Sequence, residues 1–562
     1  MYTPRQSVRS SLLPSPTEQS TINILLATNI APDAATLEHL HKVATEAPRD
    51  LDRYDLEIEA LRVEMERVSA QKIELESHLA RCRSLLDCRI RLLPPELLMR
   101  ILEICALSHV EMYNFVNQSP QAEWDRLAKS HVLCLAQVCK QWRELVFATP
   151  TLWSSIFVDT QYWPQSPSQH SDLLELSIAR SKTRLLDVYI AAARVGDEVA
   201  EPLLRLAQES SRWRHVFLSI SANSLKHFAS AHGRLSAIDA LDLATPGRAD
   251  GRDYAGMFSV APRLRRVAFA GHAANIPPEL PWEQITSFSF YPDPSSLQME
   301  MLPLHRLPAG ASLLIESNLI SVEQILFSRL HVGTTELKIH KLLLCVSFHG
   351  PRLPPGTSEI DAMVAVFRAF TLAKLVKFSL KPNQDNPASY PRWDSTEFAN
   401  LALRSGFGSS LNHLVLVVKI NDDELISALA LLPNLAVLRI ADSDDTQVVS
   451  ASFLDAMSTS VDPNASVPRP LVPKLTTFHY APRVLLEEPL LRMMTYRSLH
   501  RVDSSSPFVT MIACLPRVLP LDEGWVRGVD ALVTQSNGDL RVDFTFYSAQ
   551  NIHRWQLDFD NV

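Results

Sequence analysis

A short apolar motif recurs from Leu185 onward, and it restricts the possible folds more than any other feature of this chain. Apolar residues occupy positions 1, 4 and 6 of each copy, and positions 4 and 6 of a strand point to the same face of its sheet. The first five copies begin 21 to 28 residues apart. Stacked strand units of this kind would share one continuous core. The nine copies are Leu185, Val188, Ile190; Trp213, Val216, Leu218; Ile238, Leu241, Leu243; Leu264, Val267, Phe269; Ile285, Phe288, Phe290; Leu375, Phe378, Leu380; Leu411, Leu414, Leu416; Leu435, Leu438, Ile440; and Leu475, Phe478, Tyr480.

The period resembles that of a leucine-rich repeat, in which each unit supplies one strand and a returning helix or coil. The resemblance implies an α/β fold in which residues 160–562 form a solenoid that binds a protein target. Apolar segments at 200–207, 360–370 and 424–432 are expected to supply returning helices. Regular repeats carry Asn or Cys eight residues after the first Leu, and only Asn383 meets this rule, so we predict an irregular solenoid. An unrelated α/β domain with parallel strands is the alternative.

Two further blocks lie upstream, LLPPELLMRIL at residues 92–102 and VCKQWRELVFATPTLW at residues 138–153. Pro95 suits the first turn of a helix, where its missing N–H would have no partner in any case. The apolar residues after it cover more than one face of a short helix, whereas a surface helix needs only one apolar stripe. Such a helix packs either against both its own domain and a partner, or entirely within a core.

Together the two blocks resemble an F-box, with its Leu-Pro start, its helix rich in Leu and Ile, its Val-Cys…Trp-Arg core and its closing Leu-Trp. The resemblance implies a domain at residues 90–159 that binds the Skp-type adaptor of a cullin-RING ubiquitin ligase. One departure from the family is an insertion at residues 106–130, where F-boxes have a short loop. The residues implied to form or support the adaptor-binding surface are Leu93, Pro94, Pro95, Leu97, Leu98, Ile101, Leu102, Val138, Cys139, Trp142, Leu152 and Trp153.

A heptad pattern precedes the F-box-like blocks and predicts a coiled coil at residues 51–89. Lys72 is the one charged residue in the apolar seam, where a polar side chain can fix register or oligomer number. The helix either pairs with a second copy in a homodimer or folds back onto its own chain. A coiled coil followed by an F-box also resembles a group of F-box proteins from mushroom-forming fungi. The seam consists of Leu51, Tyr54, Ile58, Leu61, Met65, Val68, Lys72, Leu75, Leu79, Cys82 and Leu86.

Composition and the first fifty residues indicate in which cellular compartment the protein is expected and which kinds of partner it is not expected to bind. Residues 1–50 are rich in Ser, Thr and Pro with little periodicity, so they are expected to be mostly disordered. The chain has no apolar run of about 20 residues, which favours a cytoplasmic or nuclear protein without membrane contact. A net charge of -8 and the lack of a linear Lys/Arg cluster among aromatics do not support nucleic-acid binding.

No sequence motif indicates catalysis, a metal or a cofactor. The GxSxG, HExxH and Walker patterns do not occur. Gly406 and Gly408 in RSGFGSS lack the third glycine of a dinucleotide fingerprint, so we interpret them as a helix stop. The favoured hypothesis is therefore a non-enzymatic, substrate-recruiting subunit of an SCF-type ligase whose protein target the sequence does not name. The alternative is a repeat scaffold in which the F-box-like bundle serves only as an N-terminal cap.

Overall fold

The structure is a computed structural model. It describes residues 12–28, 30–87, 89–106, 132–159, 167–192, 197–245, 256–272, 275–292, 303–319, 335–348, 367–368, 370–382, 390–442, 447–458, 470–499, 508–516, 521–536 and 539–547. The chain divides into two compact units, Met1–Leu98 and Met99–Val562. Residues 107–130 of the predicted insertion, Asn383 and most of the segment 360–370 lie outside the described residues.

The α-helices of the described residues are α1 (Pro16–Thr28), α2 (Ala34–Asp87), α3 (Pro95–Ala106), α4 (Val132–Val138), α5 (Lys140–Ala148), α6 (Pro167–Ser181), α7 (Asp197–Gln208), α8 (Ser395–Ser405), α9 (Asp422–Ala430), α10 (Ala451–Ala456), α11 (Glu487–Leu499) and α12 (Glu523–Gln535). Short 3-10 helices occur at Arg89–Leu92, Pro150–Trp153, Ser210–Arg212, Ala222–Ala231, Trp282–Gln284, Leu304–Arg306 and Phe407–Ser409. Within this described part, no helix is long and apolar enough to cross a membrane.

The strands are β1 (Ser155–Asp159), β2 (Leu186–Ala192), β3 (Trp213–Ile220), β4 (Ala240–Thr245), β5 (Arg266–Gly271), β6 (Ser287–Pro292), β7 (Ser312–Leu319), β8 (Thr335–Glu336), β9 (Lys341–Phe348), β10 (Phe370–Thr371), β11 (Lys377–Lys381), β12 (His413–Leu416), β13 (Val437–Ala441), β14 (Thr477–Ala481), β15 (Thr510–Pro516) and β16 (Arg541–Tyr547). Among the residues that the structure describes, all strands except β8 and β10 form one 14-stranded sheet that follows chain order. Every pairing between its neighbours is parallel. Strands β8 and β10 pair separately.

Two helices, α1 and α2, begin within the first fifty residues, the segment that the sequence predicts to be mostly disordered. At the start of α1, Glu18 N donates to Ser15 Oγ at 3.3 Å and Ser15 N donates to Glu18 Oε2 at 2.7 Å. At the start of α2, Thr36 N donates to Asp33 Oδ1 at 2.8 Å. These caps satisfy N–H groups that the first turn leaves without partners. The sequence prediction treated the Pro residues of this segment as helix breakers and did not include the caps.

Helix α2 covers residues 51–87 of the coiled-coil segment predicted at 51–89, and it extends beyond that segment toward the N-terminus. The same heptad extends upstream through Leu37, Leu40, Ala44 and Ala47. Pro48 lies inside this 54-residue helix. The seam side chains are mostly exposed, so α2 presents a long apolar stripe, and its pairing with a second helix stays a prediction. The exposed members of the stripe are Leu37, Leu51, Ile58, Leu61, Met65, Val68, Leu75, Leu79 and Leu86.

All nine copies of the apolar motif coincide with strands of the sheet. Positions 4 and 6 are buried in each case, as Val188 and Ile190 illustrate with 0% exposure each. One large apolar cluster runs from Ile156 to Leu540 beneath the whole sheet. The sheet begins at Ser155, slightly before the predicted start at residue 160. The described strands therefore share one continuous core.

Helices return between some of the strands as the apolar segments predicted. The segment 200–207 lies within α7, and the segment 424–432 overlaps α9. Gly406 ends α8 in a left-handed conformation, with φ of 65°, which agrees with its interpretation as a helix stop. Elsewhere a 3-10 helix replaces the α-helix, as between β3 and β4, where Ala222–Ala231 returns the chain.

Candidate functional site

Helix α3 carries two apolar faces, of which the chain buries only one. It begins at Pro95, as the sequence predicts. Leu98 and Leu102 are each 1% exposed. Leu97, Ile101 and Ile104 are 54%, 39% and 66% exposed, and their spacing of four and three residues places them on one side of the helix. We call these last three residues the α3 stripe.

The junction of α4 and α5 places further apolar side chains at the surface. Cys139 caps α5, and its Sγ accepts a hydrogen bond from Trp142 N at 3.5 Å. The two helices are tied together because Arg143 Nε donates to Ala136 O at 3.0 Å. Val138 is 60% exposed and Cys139 is also exposed, whereas Trp142 is half-buried. The Val-Cys…Trp-Arg order thus has a local structural cause, since Cys139 caps the helix that carries Trp142.

The closing Leu-Trp pair belongs to the interior. Leu152 and Trp153 are each 1% exposed. The indole Nε1 of Trp153 donates to Val146 O at 2.8 Å, which satisfies the polar atom of a buried ring. The same ring stacks on Phe147 with centroids 5.6 Å apart. This packing fixes the end of α5 against the 3-10 helix Pro150–Trp153.

A half-buried carboxylate connects α3 to that 3-10 helix. Thr151 Oγ1 donates to Glu103 Oε1 at 2.6 Å. Glu103 also forms an ion pair with Arg100 at 3.2 Å, so one side chain holds two contacts. Glu103 follows the buried Leu102 and precedes the exposed Ile104. The bond therefore fixes the rotation of α3 that turns the α3 stripe outward.

The helical block leads directly into the sheet. Ser154 O accepts a hydrogen bond from Asp187 N at 2.9 Å, and β1 then pairs in parallel with β2. Arg180 of α6 lies over the ring of Phe147, 5.0 Å from its centroid. The block from α4 to β1 is thus built onto the first strand of the sheet, at its edge.

Burial separates the twelve residues of the sequence prediction into two groups. The buried residues Leu98, Leu102, Leu152 and Trp153 can only support a surface from within. Ile104 was not among the twelve, although its position three residues after Ile101 places it on the same helical face. The accessible residues are Pro94, Pro95, Leu97, Ile101, Val138 and Cys139, which are exposed, and Leu93 and Trp142, which are half-buried.

Comparison with known proteins identifies this part of the chain. Residues 90–159 match the F-box-like family. The match begins before α3 and ends with β1, so it includes the α3 stripe, the junction of α4 and α5, and the buried Leu152 and Trp153. A search of curated proteins found no match to the chain.

The chain thus combines an F-box-like domain with a large parallel α/β sheet. F-box domains in general bind Skp-type adaptors in SCF ligases, so the domain suggests an F-box adaptor role in such a complex.

Proposed function

We propose that this chain is a non-catalytic, substrate-recruiting subunit of an SCF-type ubiquitin ligase. The F-box-like domain binds the Skp adaptor, and the sheet region binds a protein target. The observation that carries the proposal is the exposed α3 stripe, which lies within the matched residues 90–159. Apolar side chains grouped at a surface mark sites of protein association. Val138 and Cys139 supply further accessible contacts for the adaptor.

We assign target binding to residues 160–562 as an irregular, leucine-rich-repeat-like solenoid. Parallel strands in chain order support this assignment, because each unit of a solenoid pairs only with its neighbours. The missing Asn or Cys at the turn position is the main difference from a regular repeat. Ubiquitin transfer belongs to other subunits, and this chain contributes proximity and orientation. The cullin complex is a partner through the adaptor.

Adaptor binding can be tested with the full chain, purified Skp-type adaptor and the variant Leu97→Asp, Ile101→Asp. Both side chains are exposed, so the variant is expected to keep the thermal midpoint of the wild type. Two charges placed in an apolar interface should weaken adaptor binding about a hundredfold or more. Surface plasmon resonance measures the dissociation constant.

The control is Leu403→Asp on α8, which introduces one charge at a side chain that is 75% exposed and lies outside residues 90–159. It should leave adaptor affinity unchanged. A folded wild-type chain that does not bind the adaptor would contradict the proposal, as would equal affinity of the double variant.

A second candidate function is a scaffold in which the F-box-like bundle only caps the sheet. The specific observation that favours it is that β1, the edge strand of the sheet, belongs to the matched residues 90–159. Solenoids need such a cap over their terminal apolar face. This function predicts no adaptor binding by the wild type and a lower thermal midpoint for the Leu97→Asp, Ile101→Asp variant.

A further inference from the structure

The turns that lead into the strands are stacked in one row along the sheet. Arg265 N donates to Asp239 O at 2.9 Å, and Thr286 N donates to Arg265 O at 2.8 Å. Farther along the sheet, Val376 N donates to His340 O at 2.8 Å. Each of these residues lies just before a strand, so equivalent positions of successive turns are one strand spacing apart, about 4.8 Å. We call the row of turns that leads into β2 to β11 the turn ridge.

Basic residues recur in these turns although they are far apart in the sequence. Arg184, Arg263 and Lys374 each precede the first apolar residue of a motif copy. Lys338 holds the same place before Ile339, in the turn that leads into β9. From β2 to β11 the turn ridge spans seven strand spacings, about 34 Å. Exposed cations in or next to these turns form what we call the basic ridge, namely Arg184, Arg263, Arg265, Lys338, Lys341 and Lys374.

The main core fixes the backbone that carries the basic ridge. Leu264 and Leu375, which follow Arg263 and Lys374, are each 0% exposed and belong to the main apolar cluster. Charges on a fixed backbone lose less conformational freedom on binding than charges on a disordered segment. All six side chains of the basic ridge are exposed, so a ligand reaches them without entering the face of the sheet.

Carboxylates of the same turns are mostly paired with other arginines. Among the residues that the structure describes, none of the six cations of the basic ridge forms an ion pair with a carboxylate of the chain. Arg265 Nη1 donates to the backbone carbonyls of Pro262 and Leu264, both at 3.2 Å, which does not neutralise its charge. Glu279 and Glu336 are exposed and lie outside these pairs, so two carboxylates stand against six cations. The pairs are Arg212–Glu209, Arg214–Asp187, Arg266–Asp239 and Arg306–Glu283, at 2.6 to 3.3 Å.

The shape of the basic ridge selects among anionic ligands. Its cations are spread over about 34 Å, whereas a single phosphoryl group requires donors that converge on one point. Single-stranded nucleic acid is bound by basic grooves that also offer aromatic rings to the bases. Trp213 and Trp282, the tryptophans of these turns, are each 0% exposed and offer no such ring. An extended acidic polypeptide needs only a row of cations, and ten of its residues span about 33 Å.

We propose that the basic ridge binds an acidic segment of the target protein, an extended run of about ten residues rich in Asp and Glu. The whole chain carries a net charge of -8, so the attraction is local to the ridge. Repulsion from carboxylates elsewhere on the chain is largely screened beyond about 10 Å at 0.1 M salt. The proposal rests on the target-binding role given to residues 160–562 and names the chemistry of the target.

The test uses the full chain and a fluorescein-labelled peptide of alternating Asp and Glu residues, about ten in all to match the ridge, measured by fluorescence anisotropy. The first variant is Arg263→Glu with Lys374→Glu, which reverses one charge near each end of the ridge. We expect it to raise the dissociation constant about tenfold, because each exposed charge contributes a few tenths of a kcal/mol and reversal doubles the change. Arg184→Glu with Lys338→Glu should give a similar loss. Thermal midpoints verify that each variant is folded.

The matched control is Lys226→Glu with Arg527→Glu, which changes the net charge by the same amount. Lys226 is exposed in the 3-10 helix Ala222–Ala231, and Arg527 is exposed on α12. Both lie outside the turn ridge, so the dissociation constant should stay unchanged. Higher salt should weaken binding by the wild type and reduce its difference from the ridge variants.

Two further probes give outcomes that would overturn the proposal. These are the same peptide with Asn and Gln in place of Asp and Glu, and a single-stranded DNA of similar length. Equal or tighter binding of either probe, no binding of the acidic peptide, or equal losses in the ridge variants and the control would each contradict it. The assay contains no Skp adaptor, so its failure would leave the proposed docking of the F-box-like domain intact.

Discussion

At the scale of single residues, Arg497 is the clearest case of a side chain whose role depends on tertiary contacts. It extends from α11, where its Nε donates to Met457 O at 3.0 Å and its Nη1 donates to Val472 O at 3.2 Å. Its Nη2 donates to Leu471 O. Burial lowers the pKa of the guanidinium to about 10. One side chain therefore holds the two chain segments on either side of residues 459–469.

We predict that Arg497→Met destabilises the chain. The change leaves the carbonyls of Met457, Leu471 and Val472 without their donor, and each orphaned buried group costs roughly 1–3 kcal/mol. Relief from burying a charge offsets part of this cost, so the net loss in the free energy of unfolding should be about 2–3 kcal/mol. Urea titration measures it.

The matched control is Arg492→Met on the same helix. Arg492 is exposed and forms surface ion pairs with Glu488 and Asp455 at 3.4 and 3.3 Å. Such pairs contribute about 0–1 kcal/mol. If the two variants unfolded at the same urea concentration, the role given to Arg497 would be wrong.

His413 leads to a prediction about pH. Its folded pKa of about 3 lies below the ordinary value of 6.5, so the folded state resists protonation that the unfolded state accepts. Below pH 6.5 the unfolded chain therefore binds more protons, and the free energy of unfolding falls as the pH drops from about 6.5 toward 3. At pH 5 the contribution of this histidine should be about 1–2 kcal/mol.

Urea unfolding at pH 7.5 and pH 5 measures this contribution. In His413→Gln the loss of stability between the two pH values should be smaller than in the wild type by that amount. His305→Gln provides the control, because His305 is exposed. Identical losses in the wild type and in His413→Gln would contradict the prediction.

At the scale of elements, α2 leads to a prediction about assembly. Its seam residues are exposed along the whole stripe, and an apolar seam that continues over several heptads is typical of paired helices. We predict a homodimer of full chains, formed through α2. Leu61→Asp with Val68→Asp places charges at the same seam position of two successive heptads and should produce monomers in sedimentation velocity.

The control places the same two substitutions on the opposite face of α2. Leu56 and Val63 are 74% and 59% exposed, are also seven residues apart, and lie off the seam. Leu56→Asp with Val63→Asp should leave the dimer intact. A monomeric wild type, or a dimer that survives both pairs of changes, would contradict the prediction.

The positions of individual strands were predicted more accurately than the number of strands. Nine copies of the 1-4-6 motif coincide with strands. A strand with one buried face alternates apolar and polar residues, so its two buried positions can be recognised from the sequence. Three more copies fit the same rule and were overlooked, namely Trp153, Ile156, Val158 at β1, Ile339, Leu342, Leu344 at β9, and Phe508, Met511, Ala513 at β15. β7 and β16 lack an apolar residue at position 1, so only pairing with neighbouring strands defines them.

At the scale of the whole molecule, the sheet converts distant sequence positions into one surface. The 14-stranded sheet follows chain order, so each strand brings its outer side chains beside those of the next. Lys341, Lys377 and His413, which begin three different strands, become neighbours in this way. The same arrangement attaches the F-box-like residues to the edge of the sheet through β1. The position of residues 132–159 is therefore compatible both with adaptor binding and with capping of the sheet.

The sequence by itself determined the elements whose information is local. The motif periodicity specified strands, the heptad specified the helix α2, and the two blocks at 92–102 and 138–153 indicated the F-box-like domain. These features depend on neighbouring residues and on a period of 2, 3.5 or 3.6, so they can be recognised without a structure. Leu97 and Ile101 are exposed, and their role in adaptor binding stays a prediction.

Only the tertiary structure decided which apolar residues remain accessible and which charges meet. Leu97 and Leu98 are adjacent and chemically identical, yet one is 54% exposed and the other 1%. Burial depends on what packs against each face, which residue type alone does not specify. The neighbours of charged strand residues could not be predicted for the same reason, because strand register, and not distance along the chain, places Lys377 beside His413.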